Sequence, residues 1–150
     1  MLKPVLLVED KPDDRDLVVR ALKRVNCPLL IHTVATGREA IDYVTGQGQH
    51  SDRDQYPMPV LILVDNELQD MNGPQMIREL RQHLKNCPIL TFTGNESPAV
   101  VTEAYDAGAT GVLVKPPRLA ELEKQMNAVC EFWINWCRLP ASSPVRAEES

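Results

Sequence analysis

The chain has 150 residues, 43% of them hydrophobic and 25% charged, with a formal net charge of −5. That length supports one domain with a full hydrophobic core, and the acidic balance without any Lys/Arg-rich block argues against nucleic acid as a partner. No apolar stretch approaches a membrane span, and Met1-Leu2-Lys3-Pro4 runs straight into a strand rather than a signal peptide, so the expected location is the cytoplasm, away from any membrane.

The first apolar run, Val5-Leu6-Leu7-Val8, stops at Glu9-Asp10. A helix follows, with Pro12 near its first position and Asp13, Asp14 and Asp16 in its first turn, all favourable there. Leu17, Val18, Ala21, Leu22 and Val25 form its apolar stripe. A second strand begins near Leu29, and a second helix after Thr36-Gly37 carries Ala40, Ile41 and Val44. Gly46 to Pro59 is polar and punctuated by Gly and Pro, and reads as a surface loop. The run Val60 to Val64 ends in Asp65, and a loop from Asn66 to Pro74 leads to a helix with Met76, Ile77, Leu80 and Leu84 inward. Ile89 to Phe92 ends in Thr93, and a helix from about Ser97 to Ala107 stops at Gly108, a left-handed C-cap. Val112-Leu113-Val114 ends in Lys115-Pro116. The last helix is the longest, with Leu119, Leu122, Met126, Val129, Trp133 and Trp136 recurring every three or four residues. Residues 1–140 read as one domain, and Ala141 to Ser150, rich in Ser, Pro and Glu, as a disordered tail.

This strand–helix rhythm predicts a doubly wound α/β fold, with the four runs buried on both faces of a parallel sheet. Ligands of such sheets sit beyond the carboxyl ends of the strands, so Glu9, Asp10, Asp65, Thr93 and Lys115 should converge on one edge. Cys27, Cys87, Cys130 and Cys137 lack CxxC spacing and read as reduced, packed thiols rather than zinc ligands. His32, His50 and His83 lie away from the strand ends.

Three carboxylates, a hydroxyl and an ammonium suit a divalent cation and a phosphoryl group. A phosphoryl group arriving at a carboxylate needs a nucleophilic oxygen, cations to offset its charge and positioned donors. Asp65 is the expected nucleophile. Clustered acids repel one another, and Mg²⁺ resolves that repulsion with a few carboxylate oxygens while keeping waters. Asp10 and Asp65 are the expected direct ligands, Glu9 acts through a metal-bound water, and the backbone carbonyl of Glu67 completes the shell. Lys115 pairs with phosphoryl oxygens as a point charge and Thr93 donates its hydroxyl to them. A cis Lys115–Pro116 bond is one way to aim the ammonium.

With these motifs in place, the chain resembles the receiver domains of bacterial two-component response regulators. The resemblance rests on Val8-Glu9-Asp10, Leu63-Val64-Asp65, Asn72-Gly73, Pro88 through Thr93-Gly94, and Gly111 through Lys115-Pro116, and covers roughly residues 4–130. It is closest to the single-domain regulators that partner bacterial phytochromes, which share a long polar loop before the third strand and an aromatic segment ending in Leu-Pro, here Glu131 to Pro140. The resemblance implies a five-stranded sheet in the flavodoxin-like order 2-1-3-4-5. It implies transfer from the phosphohistidine of a sensor histidine kinase, a bacterial phytochrome among the candidates, to Asp65 with Mg²⁺. Glu9 and Asp10 become the acidic pocket, Thr93 the switch hydroxyl and Lys115 the family's lysine. No output domain is expected, so the phosphorylated chain switches a partner protein or passes the group on in a relay; it is no enzyme beyond accepting and losing its own phosphoryl group.

Four positions depart from the pattern. Val112 stands where an aromatic switch residue is usual, Glu67 and Asn95 occupy the positions that govern water access, and Gln69 replaces a usual Pro. Val112 keeps open a non-phosphorylated pseudo-receiver acting as a dimeric scaffold. A haloacid-dehalogenase type of phosphatase also attacks with a strand-end Asp, but wants an Asp where Glu67 stands and a cap domain. Phe132, Trp133 and Trp136 lie at or beyond the end of an ordinary receiver helix, where an exposed aromatic cluster implies a homodimer contact.

Overall fold

The computed structural model describes residues 1–140 and gathers the apolar runs into one sheet. Strands β1 (Lys3–Val8), β2 (Leu29–Val34), β3 (Leu61–Asp65), β4 (Ile89–Thr93) and β5 (Gly111–Val114) alternate with helices α1 (Pro12–Lys23), α2 (Gly37–Thr45), α3 (Gly73–Arg81), α4 (Pro98–Ala107) and α5 (Leu119–Cys130). The strands are all parallel, in the order β2-β1-β3-β4-β5. This is the doubly wound, flavodoxin-like order.

Period-two alternation divides the core. Leu6, Val8, Ile62 and Val64 face α2, α3 and α4, where Ala40, Ile41, Met76, Ile77, Leu80 and Ala104 meet them. Val5, Leu7, Leu61 and Leu63 face the opposite side, against Ala21 and Leu22 of α1 and Leu122 and Met126 of α5. Local chemistry sets the helix ends. Thr36, Asn72 and Ser97 accept the N–H of Glu39, Gln75 and Val100, and α4 stops at Gly108 with φ 114°.

Several expectations need correction. β3 and β4 are buried throughout, but β2 and β5 are the sheet edges, and Val114 is 42% exposed. Leu17 leaves the α1 stripe, 39% exposed, and lines a hollow of about 110 Å³ with Glu9, Asp14 and Lys115. Asp13 and Asp14 lie in the first turn of α1; Asp16 lies past it. The loop from Gly46 to Pro59 holds core material despite its polarity. Tyr56 and Met58 pack on the core, and His50 is buried with its ring 5.0 Å from those of Tyr43 and Tyr56. Arg53 fastens this loop by donating to the Tyr43 and Val44 carbonyls at the end of α2, at 2.8 and 2.9 Å.

The last helix does not run on as one stripe. After Cys130 it widens into a π-helical turn, Glu131–Trp136. Along this turn Ile134 is buried and Trp133 packs on the α1/α5 side of the core, while Phe132 and Trp136 point outward. Trp133 therefore leaves the expected exposed cluster. The segment from Trp133 to Pro140 closes over the amino ends of the strands, forming with Lys3, Val60 and Pro88 a cleft of about 490 Å³. All four cysteines are free thiols. The expected tail, residues 141–150, lies outside the described residues.

Candidate functional site

Parallel register aligns the carboxyl ends of the central strands. Val8 pairs with Val64, so Glu9 and Asp10 emerge beside Asp65, and Thr93 pairs with Val114, just before Lys115. Glu9, Asp10 and Asp65 each offer one carboxylate oxygen, and these oxygens all lie within 4.8 Å of one another. Asp65 is only 1% exposed. Its Oδ1 accepts from Lys115 Nζ and from the Glu67 N–H, both at 3.0 Å. The ammonium makes this reach over a trans Lys115–Pro116 bond; the described residues contain no cis peptide.

The two buried acids are pushed apart in acidity. Burial first, and then the contact with Asp65, raise the Glu9 carboxyl to about 8 against weaker pulls from the Lys11 N–H and the Lys115 ammonium. Burial opposes ionisation of Asp65 too, but its bonds to Glu9, the Glu67 N–H and Lys115 outweigh that and hold it below the usual carboxylate range. The Lys115 ammonium is desolvated, yet Asp65 beside it raises its pKa overall. Near neutral pH the site therefore holds an ionised Asp65, a charged Lys115 and a Glu9 that keeps its proton.

The donor set fits a hard divalent cation. Asp10 Oδ2 accepts from the Gln69 N–H at 3.0 Å and Asp10 Oδ1 is buried without a hydrogen-bond donor, while the buried Asp65 Oδ2 has no donor other than the Glu9 carboxyl. Leaving a buried acceptor unpaired costs about 1–3 kcal/mol. A cation held by Asp10 and Asp65 would remove that cost and take the place of the Glu9 proton. Glu67 enters through its backbone N–H, with its side chain exposed.

Thr93 makes no hydrogen bond to Asp65. Its hydroxyl donates to the Asn95 carbonyl at 3.0 Å and accepts from the Asn95 N–H at 2.9 Å, tying it to its own loop. Val112 is half-buried and packs against the α2/α3/α4 side of the core. Sequence reasoning missed two participants in the loop after β3. Gln69 acts through a backbone N–H, which side-chain patterns do not reveal; its one signal is that it is not Pro. Asp70 accepts from the Gly37 and Arg38 N–H groups across the fold.

Residues 5–127 match the response regulator receiver domain. The chain is 29% identical to the response regulator Rcp1 of Synechocystis sp. over 142 residues, covering 93% of this chain and 95% of that protein. The crystal structure of the phosphorylated cyanobacterial phytochrome response regulator RcpA superposes with a TM-score of 0.85 at 26% identity, over 94% of this chain and 100% of that one. The Mn²⁺-bound form of Rcp1 superposes with a TM-score of 0.80 at 29% identity, over 93% and 99% of the two chains.

Proposed function

Because the chain belongs to the response regulator receiver domain family, we propose that Asp65 is the residue that takes the phosphoryl group from a sensor histidine kinase, with Mg²⁺ as the cation. The observation that carries this reading is the asymmetry of the Asp65 carboxylate. Lys115 and the Glu67 N–H fix one oxygen, and the other is buried beside two further acids. Mg²⁺, when bound, neutralises the acid cluster and the charge on the transferred group. Asp10 and Asp65 would hold it directly, Glu9 would act through a bound water, and the Glu67 carbonyl would complete the shell.

In the transfer, an Asp65 oxygen forms the bond to phosphorus as the bond to the histidine nitrogen breaks. Lys115 turns its ammonium from the carboxylate to the phosphoryl oxygens. Thr93 has to give up the Asn95 carbonyl before its hydroxyl can donate to the same group. The chain accepts and loses its own phosphoryl group and acts as no other enzyme. Output is a change in partner binding or onward transfer in a relay.

The phytochrome regulator RcpA among the similar structures supports a bacterial phytochrome as the kinase. Residues 1–140 act as the receiver domain. A cytoplasmic location agrees with the absence, among the described residues, of any helix long and apolar enough to cross a membrane. Homodimerisation through Phe132 and Trp136, with Trp133 at the edge of the contact, is supported by exposures of 54% and 74% for the first two.

The test is a small phosphodonor, acetyl phosphate, with and without Mg²⁺. Intact mass should rise by one phosphoryl group only with Mg²⁺, and not at all in Asp65→Asn. A gain that persists in Asp65→Asn rejects the acceptor assignment; no gain in the native chain favours a pseudo-receiver.

A further inference from the structure

The loop between β3 and α3 is tied down at both of its far contacts. The Gln69 N–H donates to Asp10 Oδ2 at 3.0 Å. The next residue, Asp70, uses its two oxygens separately, accepting from the Gly37 N–H at 3.0 Å and the Arg38 N–H at 3.1 Å. Those are the first two residues of α2, whose N–H groups have no partner within the helix and carry the positive end of its dipole. Met71 then lies over Gly37. A Cβ at Gly37 would stand 2.6 Å from Met71 Cγ and Sδ, so this approach depends on glycine. The Gly73 N–H returns to the Asn66 carbonyl at 3.1 Å and closes the loop.

Asp10 sits at the receiving end of this chain of contacts. Its carboxylate could rotate freely at the start of a loop, but an N–H on Oδ2 fixes the plane and leaves Oδ1 buried without a donor. A proline at position 69 would have no N–H to give. We propose that the Gln69 N–H and the Asp70 carboxylate are positioning groups of the cation pocket. Asp70 anchors the loop on the N-terminus of α2, so that the Gln69 N–H presents Asp10 Oδ1 to the ion. The proposal rests on the reading of Asp10 as a cation ligand. Partners that orient a ligating carboxylate change metal affinity by roughly 10–100-fold, which sets the size of the effect.

The experiment is calorimetric titration of the full chain with Mn²⁺, comparing the native protein with Gln69→Pro, Asp70→Ala and Asp70→Asn. The Mn²⁺ Kd should rise roughly ten-fold or more in Gln69→Pro. It should rise less in Asp70→Ala, which keeps the Gln69 N–H, and least in Asp70→Asn, whose amide oxygen still accepts one N–H. If Gln69→Pro does not fold, Asp70→Ala decides. Hydrogen exchange supplies the second readout: Mn²⁺ should slow the amides of residues 37–41 in the native chain and not in Asp70→Ala. Folded variants with the native Mn²⁺ affinity overturn the proposal, even if their Tm falls, because a purely structural tie would lower Tm alone. A native chain that binds no Mn²⁺ overturns the reading of the pocket, and the proposal with it.

Discussion

Replacing Glu9 by Gln removes a proton that the fold otherwise carries. Glu9 is 4% exposed, and its carboxyl is raised from an ordinary 4.5 to about 8. Between those values the folded chain holds a proton that the unfolded chain has lost. Stability is therefore full below about 4.5, falls as pH rises through the window and levels off above about 8. The slope for one such proton is about 1.4 kcal/mol per pH unit, so the native chain loses about 3 kcal/mol from about pH 5 to about pH 7 through this group. Asp65 is shifted the other way and loses its contribution only below the ordinary carboxylate range, outside this window. Gln cannot titrate, so Glu9→Gln should gain on the native chain by that same amount. Urea unfolding in EDTA, with the two proteins compared at each pH, cancels the other groups and reads the difference directly. A difference flat within about 0.5 kcal/mol across the window refutes the proton-holding Glu9. Since a cation takes the place of that proton, Mn²⁺ binding near pH 6 should also release about one proton in the native chain and none in the variant.

Arg81 donates to the Gly108 and Cys87 carbonyls at 2.8 and 2.7 Å and to Thr110 Oγ1 at 3.0 Å. Arg81→Ala should cost about 2–4 kcal/mol in urea unfolding, because it strands acceptors that join the end of α3 to β4 and β5. Gly37→Ala should destabilise by about 1–3 kcal/mol through the clash with Met71, and a double-mutant cycle with Met71→Ala should recover most of it. Phe132→Ala with Trp136→Ala should lower the mass per particle in light scattering toward the monomer, with acetyl phosphate still accepted; an unchanged mass removes these residues from the interface.

The sheet and the charged core of the site were legible because parallel strands write themselves as short apolar runs, and the functional group follows each run immediately. Glu9-Asp10, Asp65 and Lys115 could be read off that way and do converge. Thr93 was legible as a strand-end hydroxyl but not in its orientation, which a local bond to the Asn95 backbone decides. The loop from Gly46 to Pro59 was misread because its polar residues work for the fold: Arg53 satisfies helix carbonyls, and Tyr56 and Met58 supply core with no periodicity to announce it. The aromatic segment was expected to outrun the sheet, but Trp133 stays on the stripe of Met126 and Val129 and packs on the core, and only Phe132 and Trp136 remain outside it. The edge exposure of Val114 follows from strand order, which a run of three apolar residues does not carry.

The π-helical turn and the cleft beneath it sit at the amino ends of the strands, a full strand length from Asp65. Five residues of extended chain span about 17 Å. Two copies meeting tail to tail through Trp136 would each keep an open mouth toward the kinase. Pairing and phosphoryl traffic would then run without competing for surface, and diluting the protein would change the first while sparing the second.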